Sequence, residues 1–233
     1  MNINGLDIQF DLKFYAIENL YWLPWVGDSY TNCHDRDKIL ILGESCYDWG
    51  GKSAPERLKQ RTFTREMAGI SHGTNPKSKE KFFRNFERAI LLNRTQSAEA
   101  RDKFWRSICF HNPVLRSMSS YKERPCVDDY RKGWRVFFEL IKITKPEICI
   151  FAGTDWNKLE SFCEIVEENG SHIEKKMWRK KVGRARGTHL LVKTTCGHAF
   201  SILFIKHPSM SFSWEKWGAF IRDNVTLRFH PLD

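Results

Sequence analysis

A run of four branched apolar residues, 39–42, is the most distinctive feature of the hydrophobic pattern. These residues do not alternate with polar ones, which is typical of a strand buried on both faces in a parallel sheet. Similar apolar runs occupy 107–112, 147–152 and 200–205, and residues 189–195 are predicted to form an antiparallel strand beside the last run. The pattern therefore predicts four core strands that are mainly parallel.

Segments with apolar residues at helical spacing separate these runs. The period predicts helices over residues 10–21, 77–92, 98–105, 127–144, 154–168 and 214–225. Thr154 is predicted to cap the fifth helix and Gly170 to end it. Strands that alternate with helices predict an α/β fold, here a three-layer α/β/α sandwich with a central, mainly parallel four-stranded sheet. We expect a single domain over residues 1–233.

Two segments lack this periodicity. Residues 50–75 contain glycines, a proline and several arginines, and are predicted to form a surface loop. Residues 171–187 form the most basic segment of the chain, with the cations Lys175, Lys176, Arg179, Lys180, Lys181, Arg184 and Arg186. Two interpretations of this second segment remain open, a solvated hairpin or loop and a segment that contacts phosphates.

Composition and charge narrow the class of protein. The 233 residues are 41% hydrophobic, which is enough for the core of one α/β domain. The formal net charge of +10 favours a polyanionic partner such as nucleic acid. Seven cysteines without CxxC spacing indicate reduced thiols. We find no signal-peptide layout and no apolar run of membrane-spanning length, and expect a cytoplasmic monomer without a membrane partner, associated with the nucleoid if bacterial.

Polar residues follow the apolar strands at the point where each strand ends. Gly43 follows the first strand and permits a sharp turn with a close approach to a ligand, and Glu44 and Ser45 come next. Asn112 follows the second strand and His207 the last. Because ligands in open α/β sheets bind outside the carboxyl ends of the strands, we expect these residues to face one crevice.

The combination of Gly-Glu-Ser-Cys-Tyr at 43–47, Asn112 and His-Pro-Ser at 207–209 resembles the uracil-DNA glycosylase superfamily. Members carry Gly-Gln-Asp-Pro-Tyr or Gly-Glu-Ala-Pro-Gly after the first strand, a base-reading residue after the second and His-Pro-Ser after the fourth. The similarity continues through 124–126 and 145–153 and covers about residues 38–217. It implies a hydrolase that flips uracil or a related modified base out of DNA and cleaves its N-glycosidic bond, in DNA repair.

The resemblance implies roles for the residues that meet the base. His207, held neutral, would donate a hydrogen bond to the departing base, and Asn112 would hydrogen-bond its Watson–Crick edge. Tyr47 corresponds to the tyrosine that crowds the C5 position and excludes the methyl group of thymine. The backbone after Gly43, at Glu44, is expected to face the base.

The resemblance also implies contacts with DNA. Ser209 and the residues after it correspond to the loop that contacts a phosphate and enters the minor groove, with Met210 and Phe212 as the apolar candidates. If the basic segment 171–187 contacts phosphates, it extends this surface, so the expected partner is single- or double-stranded DNA.

Two roles are left with alternatives. Ser45 stands where one branch of the superfamily has its water-activating aspartate, so Glu44, Ser45 and Asp48 are all candidates for positioning water. Either Trp49 or Phe63 supplies the ring on which the base stacks. The branch most similar at its Gly-Glu start carries four cluster cysteines, whereas only one cysteine precedes the first strand here, so we expect no iron–sulfur cluster, no other cofactor and no metal.

Two other functions remain open. The missing aspartate at Ser45 is also compatible with a protein of the same fold that binds DNA or a modified base without cutting, in sensing or defence. Gly43-Glu44-Ser45 further resembles the Gly-Asp-Ser start of esterases with a serine nucleophile. Such enzymes place an aspartate three residues before the histidine, where this chain has Phe204, and Tyr47 replaces the last glycine of a GxSxG elbow. The sequence therefore disfavours an esterase.

Overall fold

The structure is a computed structural model that describes residues 3–33, 38–49, 51–120 and 122–227, without the side chains of Met177 and Trp178. The described strands are β1 (Trp25–Val26), β2 (Ile39–Leu42), β3 (Cys46–Tyr47), β4 (Ile108–His111), β5 (Ser117–Met118), β6 (Ile148–Ala152), β7 (His172–Val182), β8 (Ala185–Lys193) and β9 (Ala199–Ile205). The described α-helices are α1 (Asp11–Tyr15), α2 (Ala54–Leu58), α3 (Phe63–Glu66), α4 (Lys81–Leu91), α5 (Ala98–Arg106), α6 (Val127–Thr144), α7 (Trp156–Glu168) and α8 (Trp214–Asn224).

Seven strands form one mixed sheet in the order β1-β4-β2-β6-β9-β8-β7. The four predicted core strands, β4, β2, β6 and β9, are parallel to one another at its centre. β1 joins one edge antiparallel to β4, and the hairpin β7–β8 joins the other edge antiparallel to β9. The prediction of a four-stranded sheet was therefore wrong. β1 has only two residues and β7 is highly charged, so neither shows the apolar pattern of a core strand.

Alternate residues of β2 enter two different cores. Leu40 and Leu42 pack in a cluster with residues of α6 and α7. Ile39 and Ile41 pack in a second cluster with residues of α4, α5 and α8. Helices thus cover both faces of the sheet, which confirms the three-layer α/β/α arrangement. It also explains why β2 is apolar at every position.

The helices agree with the sequence prediction to different degrees. α6 coincides with its predicted span, and Gly170, at a φ of +73°, ends α7 as predicted. α1 is much shorter than the predicted helix over 10–21. Asp155 rather than Thr154 occupies the N-cap position of α7, and its carboxylate pairs with Lys158 instead of capping the helix. None of the described helices is both long and apolar enough to cross a membrane.

The segment 51–75 is not the surface loop that its sequence predicts, and Gly50 lies outside the described residues. It forms α2, α3 and a π-helical turn, Met67–Ser71. Phe63 is buried against Trp22. Arg65 is only 3% exposed and forms a two-pronged ion pair with Asp11, at 2.9 and 2.5 Å. These helices are too short to show a helical period, so only tertiary contacts reveal that they are ordered.

A two-stranded parallel sheet extends from the end of the central sheet. β3 pairs with β5, so that Cys46 lies opposite Ser117 and Tyr47 opposite Met118. The pairing holds the backbone that follows β2 in an extended conformation. It thereby fixes where the side chains after Gly43 point.

Candidate functional site

A cavity of about 460 Å³ opens at the carboxyl ends of the parallel strands. Eight residues predicted for the site line it: Glu44, Ser45, Tyr47, Trp49, Phe63, Asn112, His207 and Ser209. They come from the segments after β2, β4 and β9 and from α3. The parallel order of these strands brings their carboxyl ends to one edge of the sheet, so the expected crevice is present.

Further residues of the cavity were not predicted for the site. They are Cys46, Arg57, Met67, His72, Glu80, Phe82, Phe83 and Phe110. Most of them belong to the segment 51–75 or to the start of α4. Phe82 and Phe83 belong to the second core cluster and also line the cavity. His72 and Glu80 carry no local signal, because only the packing of their loop against α4 brings them to the cavity.

Asn112 lies directly behind Gly43. Asn112 is 4% exposed, and its Nδ2 donates a hydrogen bond to Sγ of Cys46 at 3.0 Å. A Cβ atom on Gly43 would lie 1.9 Å from Oδ1 of Asn112, so only glycine allows this approach. Gly43 is not among the described residues that line the cavity. Its observed contribution is to make room for the amide of Asn112.

His207 is held by α4 and by its own loop. Its ring centre lies 5.3 Å from that of Phe82, and Asn85 donates a hydrogen bond to the carbonyl of Pro208 at 2.7 Å. The N–H of Ser209 donates to Nδ1 of His207 at 3.3 Å. Burial lowers the pKa of His207 below its ordinary value of 6.5. The ring is therefore neutral near pH 7, and because Nδ1 accepts, the proton lies on Nε2.

Glu44 is held by two partners, one from α6 and one from α7. The ammonium of Lys158 pairs with Oε1 of Glu44, and the hydroxyl of Tyr130 donates to the same oxygen at 2.8 Å. Lys158 also pairs with Asp155 at 2.6 Å. Burial disfavours the charge on Lys158, but the carboxylates of Glu44 and Asp155 outweigh burial and raise its pKa. Since both donors use Oε1, the other oxygen of Glu44 can accept from a ligand or water.

The other two candidates for positioning water differ in their placement. Oγ of Ser45 is buried and has no hydrogen-bond partner among the described residues. Asp48 lies at a different cavity, together with Trp22 and Lys59, and its backbone N–H donates to the carbonyl of Met118 at 2.8 Å. Asp48 is not among the described residues that line the first cavity, although its neighbours Tyr47 and Trp49 are.

An aromatic wall closes one side of the cavity. The rings of Trp49 and Phe63 are nearly parallel, at 12°, with their centres 6.1 Å apart. The guanidinium of Arg57 lies 5.5 Å from the centre of the Trp49 ring and 5.9 Å from that of Phe63. Ser71 accepts a hydrogen bond from Arg57 at 3.0 Å, and Glu66 lies 3.5 Å from it. Both candidates for the stacking ring therefore line the cavity.

Tyr47 is fixed at both ends of its side chain. Its backbone belongs to β3, and its hydroxyl accepts a hydrogen bond from Arg124 at 3.0 Å. The side chain lines the cavity next to the wall of Trp49. Cys46 points into the same cavity, and burial raises the pKa of its thiol to about 12, although the hydrogen bond from Asn112 opposes this. The thiol is therefore protonated at neutral pH and is a poor nucleophile.

The basic hairpin reaches the same end of the sheet as His207. Thr188 of β8 lies opposite Phe204 of β9. Because the two strands are antiparallel, the residues before Thr188 extend past the carboxyl end of β9. The hairpin turn at Gly183, with a φ of +60°, therefore lies beside the loop that contains His207. Most of residues 171–187 thus belong to the β7–β8 hairpin, and this pairing is compatible with a solvated segment as well as with one that contacts phosphates.

The seven cations of this segment are all exposed. Lys180 pairs with Asp223 at 3.2 Å. In contrast, no ion pair is seen for Lys175, Lys181, Arg184 and Arg186 with any acidic residue in the described part of the chain. Much of the positive charge of the hairpin thus has no acidic partner in the part of the chain that the structure describes.

The two apolar residues predicted to enter DNA have different environments. Met210 is 71% exposed at the tip of the loop after β9. Phe212 is half-buried and stacks on Trp217, with ring centres 6.2 Å apart and planes at 12°. Phe212 therefore anchors the loop to α8, and Met210 is the side chain that projects from it.

Among the described residues, no group of three or more His, Cys, Asp and Glu side chains is placed to hold a metal ion. A scan against protein-family models gives no match, and a search of the curated proteins gives no similar sequence. Function is therefore inferred from the geometry of the cavity and from the motifs that line it.

Proposed function

We propose that this protein is a DNA glycosylase, which flips uracil or a related modified base into the cavity of about 460 Å³ and hydrolyses its N-glycosidic bond. The observation that carries the proposal is a neutral histidine, His207, with its N–H on Nε2, in one cavity with a buried amide and two parallel aromatic rings. This combination suits a planar, neutral ligand that acquires negative charge during the reaction.

The base would be recognised by shape and by hydrogen bonds. Trp49 and Phe63 offer aromatic faces on which a flipped base stacks. Asn112 has one amide hydrogen engaged with Cys46, which leaves the second hydrogen and Oδ1 for the Watson–Crick edge of the base. Tyr47 supplies a rigid ring that restricts the size of the base substituent.

The bond that breaks joins C1′ of deoxyribose to the ring nitrogen of the base. Its electron pair leaves with the base, so negative charge develops on the base oxygens and positive charge on the sugar. The N–H of His207 meets the developing anion, and a neutral donor is preorganised for it without the cost of burying a second charge. The hydroxyl of a water molecule then adds to C1′, its proton passes to the released base or to solvent, and an abasic site remains.

Glu44 and Ser45 are the groups that would meet the sugar and the water. The carboxylate of Glu44 is oriented by Lys158 and Tyr130 through one oxygen, and the other oxygen can accept from the water. The unpartnered hydroxyl of Ser45 offers a second polar contact. The carboxylate of Glu44 would thus both position the water and stabilise the sugar cation electrostatically. Asp48 has no part in this proposal.

The hairpin would hold the phosphates of the DNA. Lys181, Arg184 and Arg186 lie past the carboxyl end of β9, at the cavity end of the sheet, and none of the three pairs with an acidic residue of the described chain. Contacts of this kind release counterions and make affinity depend steeply on salt.

The proposal is tested by incubating the protein in excess with oligonucleotides that contain uracil, hypoxanthine or hydroxymethyluracil. We expect free base and an alkali-labile site from at least one of them. The His207→Ala variant, prepared in the same way, controls for a contaminating activity. If the wild-type protein releases no base from any single- or double-stranded substrate, the glycosylase proposal is rejected.

A second candidate is a protein that binds a flipped base without cutting. The serine at position 45, in place of an activating aspartate, favours it. Tight binding to uracil-containing DNA without base release would identify this function. The esterase alternative receives no support, because Oγ of Ser45 has no hydrogen bond to a histidine among the described residues.

A further inference from the structure

One loop, residues 206–213, separates two cavities. His207 and Ser209 line the larger cavity described above. Lys206, Ser211 and Ser213 line a smaller one of about 290 Å³, whose other wall is the hairpin turn. Neighbouring residues of the loop thus face opposite sides. Any ligand of the small cavity is therefore only the width of one loop away from His207.

Three cations from three different elements meet at the small cavity. Arg184 belongs to the hairpin turn, Lys206 follows β9, and Lys216 belongs to α8. None of the three forms an ion pair with an acidic residue within the described ranges. The hydroxyls of Ser211 and Ser213 add polar groups, although that of Ser213 already donates to Glu215 at 3.1 Å. The site therefore offers donors and positive charge, as an oxyanion requires.

The backbone that carries these cations is anchored to the core. Gly187 of β8 packs so closely on Phe220 of α8 that a Cβ atom would lie 2.6 Å from the ring. Val182 and Trp217 are buried at the base of the small cavity. The stem of Lys216 lies 3.8 Å from the position of a Cβ atom on Gly183. The cavity is thus a fixed junction between the hairpin, the loop and α8.

We propose that this small cavity binds a phosphodiester group of the DNA strand that carries the flipped base. The proposal rests on the proposed function for the identity of its ligand. In a nucleotide one sugar separates base from phosphate, and here one loop separates the base cavity from the cationic one. A phosphodiester bound by Arg184, Lys206 and Lys216 would set the register of the strand, so that the glycosidic bond is presented to His207.

The first test measures affinity for a uracil-free oligonucleotide by fluorescence anisotropy over a series of KCl concentrations. Each of Lys206→Ala and Lys216→Ala should lower the slope of log Kd against log salt by about 0.7 on a single strand, the value expected for one lost phosphate contact. Lys193→Ala is the matched control, because Lys193 lies at the opposite end of β8 and near Glu174. Unchanged slopes for both cavity variants would overturn the proposal. This readout needs no base release, so failure of the glycosylase proposal leaves it interpretable.

The second test locates the phosphate. A single uncharged methylphosphonate is placed at successive linkages around one uracil, and the affinity of each oligonucleotide is measured. We expect one linkage next to the uracil to weaken binding to the wild type several-fold, and to have no effect on the Lys206→Ala/Lys216→Ala variant. An equal effect at every linkage would contradict a dedicated phosphodiester site. Competition by inorganic phosphate beyond that of chloride at equal ionic strength would instead indicate a site for the free anion.

Discussion

Charged groups are arranged in opposite ways in the cavity and on the hairpin. In the cavity, Glu44 is paired with Lys158 and His207 is kept neutral by burial. On the hairpin, cations such as Lys181 and Arg186 are exposed and lack acidic partners in the described residues. The difference supports the proposed function, in which a neutral base enters the cavity and acquires charge only during the reaction. The hairpin suits a ligand with permanent negative charge.

The surface of α6 and α7 shows that unpaired cations are not a general property of this basic chain. There Arg131 pairs with Glu164 at 2.8 Å and Arg135 with Glu168 at 2.6 Å. Charge is thus balanced on this surface, whereas Lys181, Arg184 and Arg186 of the hairpin have no acidic partner among the described residues. Such surface pairs contribute little to stability, so the contrast concerns partners more than folding.

The largest effect is expected from breaking the buried pair of the cavity. Lys158→Met leaves the carboxylate of Glu44 largely buried, with Tyr130 as its one partner among the described residues, and should lower the free energy of unfolding by about 3–5 kcal/mol. The double variant Lys158→Met/Glu44→Gln should recover much of this loss, because no uncompensated charge remains. Urea unfolding of both variants measures the two values. Equal destabilisation of the single and double variants would contradict a charge-based role for Lys158.

The next effect concerns catalysis. His207→Ala removes the donor that meets the developing anion, and should lower the single-turnover rate of base release by about a hundredfold or more, which corresponds to about 2.7 kcal/mol. Affinity for DNA should change little. His172→Ala, at an exposed histidine of β7, serves as the control. A larger rate loss for Glu44→Gln or Asp48→Asn than for His207→Ala would shift the catalytic role away from β9.

The hairpin should affect binding instead of rate. Removing the charges of Lys181 and Arg186 together should lower the salt slope of log Kd on duplex DNA by about 1.8, and weaken binding about tenfold or more at moderate salt. Arg131→Ala/Arg135→Ala removes charge from the balanced surface and should leave the slope unchanged. If both variants behave alike, the location of the cations has no importance.

His111 is another buried titratable group, and its ring nitrogens have no partner in the described chain. Burial lowers its pKa to about 3, so the unfolded chain binds a proton below pH 6.5 while the folded protein does not. Stability should therefore fall on acidification from pH 6.5 towards 3, by about 1.4 kcal/mol per pH unit from this group. His111→Leu should remove that part of the slope in urea unfolding at several pH values. An unchanged slope would mean that His111 is not the group responsible.

The smallest effect is expected for specificity. Tyr47→Ala opens the cavity beside the aromatic wall and should allow slow release of thymine, whereas we expect none from the wild type. Retained uracil activity shows that the variant is folded. An active variant that still ignores thymine would mean that Tyr47 does not face the C5 position.

The strands and their polar ends were predictable because each carries a local signal. β2 is apolar at all four positions, and Gly43, Asn112 and His207 each follow an apolar run. The partners of these residues were not predictable. Lys158 meets Glu44 only because α7 packs beside the strand end, and the sequence around Lys158 contains nothing unusual for a helix. Contacts between distant segments produce no periodic pattern in the sequence, so the sequence does not predict them.

The segments 51–75 and 171–187 show two different limits of prediction. The first lacks periodicity because its helices are short, although Arg57 and Phe63 form a wall of the cavity. The second was identified by its charge, but charge alone does not say on which end of the sheet it lies. The register of β8 with β9 supplies that information. The structure therefore adds that the turn of this basic hairpin lies beside the loop that contains His207.

The proposal that the cavity catalyses base release while the hairpin binds DNA is tested most directly by measuring two quantities, for two variants, on one uracil-containing oligonucleotide. The variants are His207→Ala and the hairpin variant Lys181→Ala/Arg186→Ala, and the quantities are Kd and the rate of base release with the DNA fully bound in a single turnover. We expect His207→Ala to bind the oligonucleotide normally but to release base at least about a hundredfold more slowly. The hairpin variant should bind weakly but react at the wild-type rate once saturated. Base release at the wild-type rate by His207→Ala, or slow release by the saturated hairpin variant, would contradict separate roles for the cavity in catalysis and the hairpin in DNA binding.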